Sequence, residues 1–333
     1  MRQPHHSRVR TMLAVLLALA VGAGTAGCAF GSATDDSSPS ASASASVAGP
    51  IDVVATLNQW GSLAEQIGGD HVKVTSILGS GAADPHDFEP TAKDVKELQD
   101  ATVVLSNGAG YDEWATKNLP QDVTSISVGQ IVGAMDGDNP HLWFSRDARF
   151  AAAEDLAQTF SRLDPAHKQE FSDNLATWKK EEQALEGRIH EFGEDHPNLT
   201  YAATEDVAYY LMSDLGFKDT TPSGYRQAMS NGSEPSPADL KAFTKLLDEG
   251  TPDILVNNPQ ESNETTKSLV AAAGQGSVPV EDITEEMPKD CTDLTDWIDQ
   301  LFTQISGKVA KDTASASPSE TSSSVSANAS GDA

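Results

Sequence analysis

From Ile51 onward, short β-branched runs alternate with longer stretches whose apolar residues recur at helical spacing. IDVVATLN and HVKVTSIL read as strands, with QWGSLAEQIGG as a helix between them. TAKDVKELQDA predicts a short helix, TVVLSNG a third strand, YDEWATKNL another helix and DVTSISV another short strand. Strands alternating with helices of this size predict βαβ units and a mostly parallel sheet. The rhythm resumes after residue 198. NLTYAAT, PDILVNN and VPVEDI read as strands, and EDVAYYLMSDLG, SPADLKAFTKLLDEG and NETTKSLVAAAG as the helices among them. TDLTDWIDQLFTQIS predicts a closing helix. The fold class that follows is α/β, with two parallel-sheet lobes.

Between the lobes lies PAHKQEFSDNLATWKKEEQALEGRIHEFG, in which Phe171, Leu175, Trp178, Leu185, Ile189 and Phe192 form one apolar stripe. A helix of this length extends on the order of 40 Å at about 1.5 Å per residue and can brace both lobes. The stripe runs for too few heptads to favour a coiled-coil dimer seam, so a monomer is expected. The expected organisation is an N-terminal lobe over 51–160, a connecting helix over 161–194 and a C-terminal lobe over 195–308.

The chain ends read differently. MRQPHHSRVR is basic, and the apolar MLAVLLALAVGA that follows is short for a membrane span. GTAGC then resembles a lipobox ending at Cys28, with residues 1–27 as a cleaved leader and a lipidated cysteine on the outer face of a bacterial membrane. An uncleaved anchor helix is the alternative. Residues 28–50 and 309–333 are rich in Ser, Ala, Pro and Gly, cannot bury a core, and are expected to be a flexible tether and a disordered tail.

The formal net charge is −28, and loss of residues 1–27 removes Arg2, Arg8 and Arg10 but no acid. Without a basic stripe to neutralise phosphates, nucleic acid is excluded as a partner. Beyond residue 27 the cysteines are Cys28 and Cys291, too few for a disulfide framework or a cysteine-rich zinc site. Cys291 reads as a small buried hydrophobe.

Six histidines follow residue 27: His71, His86, His141, His167, His190 and His196. His71 opens a strand and reads as a turn residue, and His167, His190 and His196, on or beside the long helix, read as solvated. His86 in ADPHDFEPT and His141 in NPHLW differ, because each follows a proline in a first-lobe loop. The His86 loop leaves the carboxyl end of a strand, where ligands of open α/β sheets gather. The second lobe offers carboxylates instead: Glu205 at a strand-to-helix turn, and Asp282, Glu285 and Glu286 past another strand. One by one, such acids are ordinarily solvated surface or partners of a helix dipole.

Taken together the segments say more. ADPHDFEPT resembles the PHxYEPT segment of the zinc/manganese class of solute-binding proteins for ABC transporters (cluster A-I, TroA-like), and NPHLWFS resembles their second histidine segment, usually DPHxW. TEDVAYYLMSDLGFKDT is similar to the segment that gives the third ligand, SNGSEPSPADL to their EPSP helix start and VPVEDITEEMP to the last ligand segment. The resemblance spans residues 51 to 308 in order. It implies a metal site in the interlobe cleft made by His86, His141, Glu205 and Glu285, with Asp282 as a competitor for the fourth position. Asn139 stands where the family usually has aspartate.

Two imidazoles and two carboxylates suit Mn2+ or Zn2+, carboxylates shifting preference toward manganese. No histidine lies between Asp87 and Pro140, so the long metal-binding loop of many zinc members is absent. The implied function is capture of a divalent metal ion outside the cell and delivery to the membrane permease of an ABC transporter, with no catalysis. The alternatives are a surface metallohydrolase or an adhesin-like lipoprotein. Against the hydrolase, the sequence has no HExxH helix and no Walker A loop.

Overall fold

The computed structural model describes residues 49–79 and 88–315. The leader, Cys28, the tether through residue 48, His86 and the tail beyond residue 315 lie outside the described residues.

The first lobe is a four-stranded sheet in the order β2-β1-β3-β4, built from β1 (Ile51–Leu57), β2 (Val72–Leu78), β3 (Val103–Ser106) and β4 (Thr124–Ser127). All pairings are parallel. Six of the seven β1 residues are buried, the near-continuous apolar run expected of a central strand covered on both faces. The second lobe repeats the plan in the order β6-β5-β7-β8, with β5 (Thr200–Ala203), β6 (Lys218–Asp219), β7 (Ile254–Asn257) and β8 (Val280–Asp282), again parallel throughout. Each sheet grows first to one side of its opening strand and then to the other. The carboxyl ends of β1 and β3, and of β5 and β7, are therefore the switch points at which such sheets leave a crevice.

Helices α1 (Asn58–Gly68) and α2 (Ala92–Asp100) flank the first sheet. Two further helices, α3 (Val128–Val132) and α4 (Arg146–Leu163), go beyond the sequence expectation. The buried face of α4 is mostly small, with Ala148, Ala152, Ala153, Ala157, Leu156 and Phe160, so its periodicity is faint in hydropathy. YDEWATKNL, expected to be helical, is a loop with one turn of 3-10 helix at Glu113–Ala115. The cause is Asp112: its carboxylate accepts from the backbone N–H of Asn107 (2.6 Å) and Gly108 (2.8 Å) and from the Thr56 hydroxyl (2.6 Å), tying the loop to the end of β3. Gly108 has φ +79°, and a Cβ there would meet Ser127 Oγ at 2.5 Å, so this tight turn excludes a side chain.

The connecting helix is α5 (Lys168–Asp195). It starts later than residue 161, because α4 runs to Leu163 and Pro165 opens a separate turn, Pro165–His167. Phe171, Trp178, Leu185 and Ile189 are buried as the stripe predicts, with Leu175 and Phe192 packed at the margin of the same core. The gap of seven between Trp178 and Leu185 is filled by Glu182, fully buried.

Helices α6 (Tyr209–Asp214), α7 (Ser223–Ser230), α8 (Pro237–Asp248) and α9 (Glu264–Gln275) complete the second lobe, and α10 (Leu294–Ser315) closes the chain. The tail was expected to begin at residue 309, yet α10 continues to Ser315. Its packed portion nucleates the helix, the single glycine Gly307 does not break it, and no Pro occurs before Pro318. Among the described residues no helix is long and apolar enough to cross a membrane.

One apolar core runs through both lobes, joining β1 and β3 residues to α4, α5, α10 and β5. The Phe144 and Trp297 rings meet at 5.0 Å within it. The amino end of α1 also stitches the lobes together. Asn58 donates to the Met287 carbonyl (2.7 Å) and accepts from its N–H (3.1 Å), and Ser62 Oγ accepts from the Leu294 N–H (3.0 Å).

Arg149 on α4, also buried, donates from Nε to Glu182 Oε1 (2.6 Å) and from Nη1 to the Trp143 carbonyl (3.2 Å), and it pairs with Glu186. Thr295 on α10 donates to the other Glu182 oxygen at 2.9 Å. Burial dominates at Glu186, outweighing Arg149 and lifting its carboxyl to about 7. Arg149→Met strands the Glu182 charge in the core and should cost about 3–5 kcal/mol in urea unfolding. Arg149→Met combined with Glu182→Leu should recover most of that loss. Equal stability of the single and double variants would contradict this reading.

Candidate metal centre

The carboxyl ends of both sheets face a common cleft, and the loops leaving them supply its polar residues. Glu205 lies two positions after β5, Asn258 directly follows β7, and Glu285 follows β8. From the first lobe, the segment after α3 brings in His141, and the loop after β3 brings in Tyr111.

His141, Glu205 and Glu285 each place one potential ligand atom within 4.8 Å of the other two. His141 Nε2 is 3.5 Å from Glu205 Oε1 and 3.8 Å from Glu285 Oε2. His141 and Glu285 are buried, and the Glu205 side chain is 13% exposed, so the cluster has one narrow face toward solvent. Asp282 stands apart, exposed and accepting a hydrogen bond from Asn257 Nδ2 at 2.7 Å. Glu286 is buried beside the cleft, where Gln260 donates to its carboxylate. Cys291 is buried, as expected, with its thiol 3.7 Å from Gln300 Oε1.

A second layer of side chains fixes the orientation of the first. His141 Nδ1 lies 3.0 Å from Asn139 Oδ1, which also accepts from the His141 N–H at 3.0 Å, so Nε2 is turned toward the carboxylates. Asn139 is itself held by the second lobe: its Nδ2 donates to the Asp206 carbonyl (2.8 Å) and its own carbonyl accepts from Tyr210 OH (2.9 Å). Asn258 Nδ2 donates to Glu205 Oε2 (2.6 Å) and Glu285 Oε1 (3.0 Å), spacing the two acids. Tyr111 OH donates to Glu285 Oε2 at 2.7 Å across the cleft. Gln260 Oε1 accepts from the Glu285 N–H at 2.7 Å, and Gln59 Nε2 donates to the Glu285 carbonyl at 3.1 Å. Trp143 closes the floor, edge-on to His141 at 5.3 Å.

The electrostatics are those of a cation site. Burial would push the His141 imidazolium down, but hydrogen bonding and attraction to Glu205 and Glu285 outweigh it and raise its pKa to about 9. Burial, followed by the Glu285 carboxylate, pushes the Tyr111 phenol well above its usual range and keeps it a donor. Burial, with Asp219 nearby, lifts Asp206 to about 6. His141 Nε2 is buried and pairs with Glu205 and Glu285 only at 3.5 and 3.8 Å, longer than a close hydrogen bond. A buried imidazole nitrogen facing two carboxylates across gaps of 3.5 and 3.8 Å suits a divalent ion placed among the three.

A family model described as the periplasmic zinc-uptake complex component A (ZnuA) matches residues 53–307. The chain belongs to this family. Among curated members, the manganese-binding lipoprotein MntA of Bacillus subtilis (strain 168) is 29% identical over 212 residues, 60% of this chain and 68% of the relative. The zinc-binding lipoprotein AdcA of Streptococcus pneumoniae is 25% identical over 266 residues, which span 72% of this chain but 52% of that longer protein. The fold is likewise shared with solved structures. The laminin-binding protein Lmb of Streptococcus agalactiae, described as bifunctional with adhesin and metal-transporting activity, superposes with TM-score 0.66 at 20% identity, covering 78% of this chain and 99% of that one. The solute-binding protein FpvC of Pseudomonas aeruginosa, in complex with Mn2+, gives 0.65 at 20% identity over 79% and 99%. The two-lobed TroA-like architecture implied by the sequence is the one observed.

The second layer was the part of the site that sequence reasoning missed. Asn139 is marked in the sequence by its departure from aspartate. Asn258, Gln260 and Gln59 carried one usable signal, amides clustered at the carboxyl ends of strands. The histidines outside the cleft make further ring contacts. His71 ends the turn Gly69–His71, as expected, and its ring also stacks on that of the half-exposed His167 at 3.7 Å. His196, also expected to be solvated, stacks on Phe192 at 4.3 Å and places Nδ1 2.9 Å from the Phe192 carbonyl.

A metal ligand must be a neutral imidazole, whereas His141 in the free site holds a proton up to about pH 9. Metal uptake at pH 7 should therefore release close to one proton from this site, and apparent affinity should fall by up to about tenfold for each pH unit below 9. Calorimetry in buffers of different ionisation enthalpy measures the release, and a buffer-independent heat would contradict it. Asn139→Ala frees the His141 ring and should weaken metal binding about 10–100-fold. Competition with a chelator reads this change, and an unchanged affinity would count against the orienting role.

Proposed function

We propose that this protein is the extracytoplasmic binding component of a metal ABC transporter, capturing Mn2+ or Zn2+ in the interlobe cleft and handing it to a membrane permease. The observation that carries the proposal is the convergence of His141, Glu205 and Glu285 on one point, with the buried His141 Nε2 facing both carboxylates at 3.5 and 3.8 Å. These three are the proposed ligands, and His86 is the fourth. β2 ends at the same sheet edge as the cleft, and the segment carrying His86 follows it directly. The printed names of the manganese- and zinc-binding relatives support the class of ion.

Carboxylates that bind through one or two oxygens let such a shell pass from four to higher coordination, which accommodates manganese as well as zinc. A shell of four protein donors leaves little room for a reactive water, which favours binding and delivery over hydrolysis. Because ligands come from both lobes and one core braces them, loading and release rest on modest loop or lobe shifts rather than a wide hinge. In this reading the chain acts as a monomer, and a lipid on Cys28 holds it beside its permease.

Glu205→Ala and Glu285→Ala should each weaken binding of Mn2+ and Zn2+ by at least about 100-fold in calorimetry, since each removes a ligand and leaves the rest of a charged cluster buried. Wild-type affinity in both variants would mean that the ion sits elsewhere.

A further inference from the structure

A second group of metal-ligating side chains lies outside the cleft. One nitrogen each from His71 and His167 and one carboxylate oxygen of Glu170 fall within 4.8 Å of one another. His71 ends the turn Gly69–His71 between α1 and β2. His167 ends the turn that joins α4 to α5, and Glu170 occupies the first turn of α5. The two imidazoles stack at 3.7 Å with 14° between planes, and Phe171 backs His71 edge-on at 5.7 Å.

As they stand, the stacked rings aim their in-plane lone pairs along nearly parallel planes, so sharing one ion requires the half-exposed His167 ring to turn out of the stack about its Asp164 contact. His71 Nε2 and Glu170 Oε2 are 2.9 Å apart, and two ligands on a tetrahedral zinc lie about 3.3 Å apart for bonds of about 2.0 Å. Both atoms need to separate by only a few tenths of an ångström to share it. His167 Nδ1 is held at 2.5 Å by Asp164 Oδ2. This is the carboxylate–imidazole pairing that orients a ligating histidine and leaves Nε2 for the metal. Two imidazole nitrogens and a carboxylate oxygen favour zinc and other late first-row ions, with water completing the shell. The side chains of His71, His167 and Glu170 are 22%, 39% and 61% exposed, so the group opens to solution and should bind more weakly than the enclosed cleft.

The geometry points to His71, His167 and Glu170 as a second, solvent-accessible site for a zinc-type divalent cation, fastening the start of α5 to the first lobe. It stands independently of the cleft, because it shares no residue with it. Zn2+ titration of the full chain should show a tight step and a weaker one. His71→Asn with His167→Asn should abolish the weaker step and keep the tight one, whereas Glu285→Ala should do the reverse. In the Glu285→Ala protein, added Zn2+ should raise the unfolding temperature, and the two histidine changes should remove that shift. A histidine double variant that binds zinc like wild type would overturn the site. Should that variant not fold, Cu2+ added to zinc-loaded wild type provides the check by NMR. Selective broadening of the His71 and His167 ring signals supports the site, and unaffected rings overturn it.

Discussion

Two carboxylates and an imidazole nitrogen, drawn close together and largely withheld from water, are the constraint around which this molecule is arranged. Such a cluster is unfavourable without compensation, since like charges repel and burial removes their hydration. The free site reduces that cost with a proton on His141 and with hydrogen bonds from Asn258 and Tyr111 to the acids. In the proposed function a divalent cation does the same work with greater charge and displaces the proton. The contest between proton and metal is thus built into the composition of the cleft.

Holding such a cluster in place requires a frame that does not relax it away. The lobes cannot drift far apart, because α4, α5 and α10 share one core and the Arg149–Glu182 pair anchors them from inside. Arg149 also grips the Trp143 carbonyl, two residues from His141, so the frame reaches the site through a short segment of chain. Asn139 and Tyr111 bridge the lobes at the cleft itself, by contacts to Asp206 and Tyr210 and to Glu285. The side chains that orient the site also join the two halves, so the proposed loading step would be coupled to their relative placement.

Much of this was legible in the residues. The alternation of strands and helices announced two parallel lobes, the stripe from Phe171 to Phe192 announced the brace, and the Pro-His pair at His141 with the acids Glu205 and Glu285 pointed to the cleft. What escaped was information that exists only after folding. Tyr111 fell in a stretch with helical composition, and its partner Glu285 is 174 residues away. The alanine face of α4 has little hydropathic contrast, although Ala148, Ala152 and Ala153 are as fully buried as the larger core residues. Glu182 sits among other acids and lysines on a charged helix, and only the gap in the apolar stripe marks the inward face it occupies. His71 and His167 are 96 positions apart in sequence, and no local pattern announces that they stack.

The most direct test is an anomalous-scattering crystal structure of the protein loaded with Mn2+ or Zn2+. The account predicts one strong peak in the cleft, about 2.0–2.2 Å from His141 Nε2 and from an oxygen of Glu205 and of Glu285, with the His86 imidazole as the fourth donor. A cleft with no peak, in a crystal whose protein retains stoichiometric metal, would contradict it.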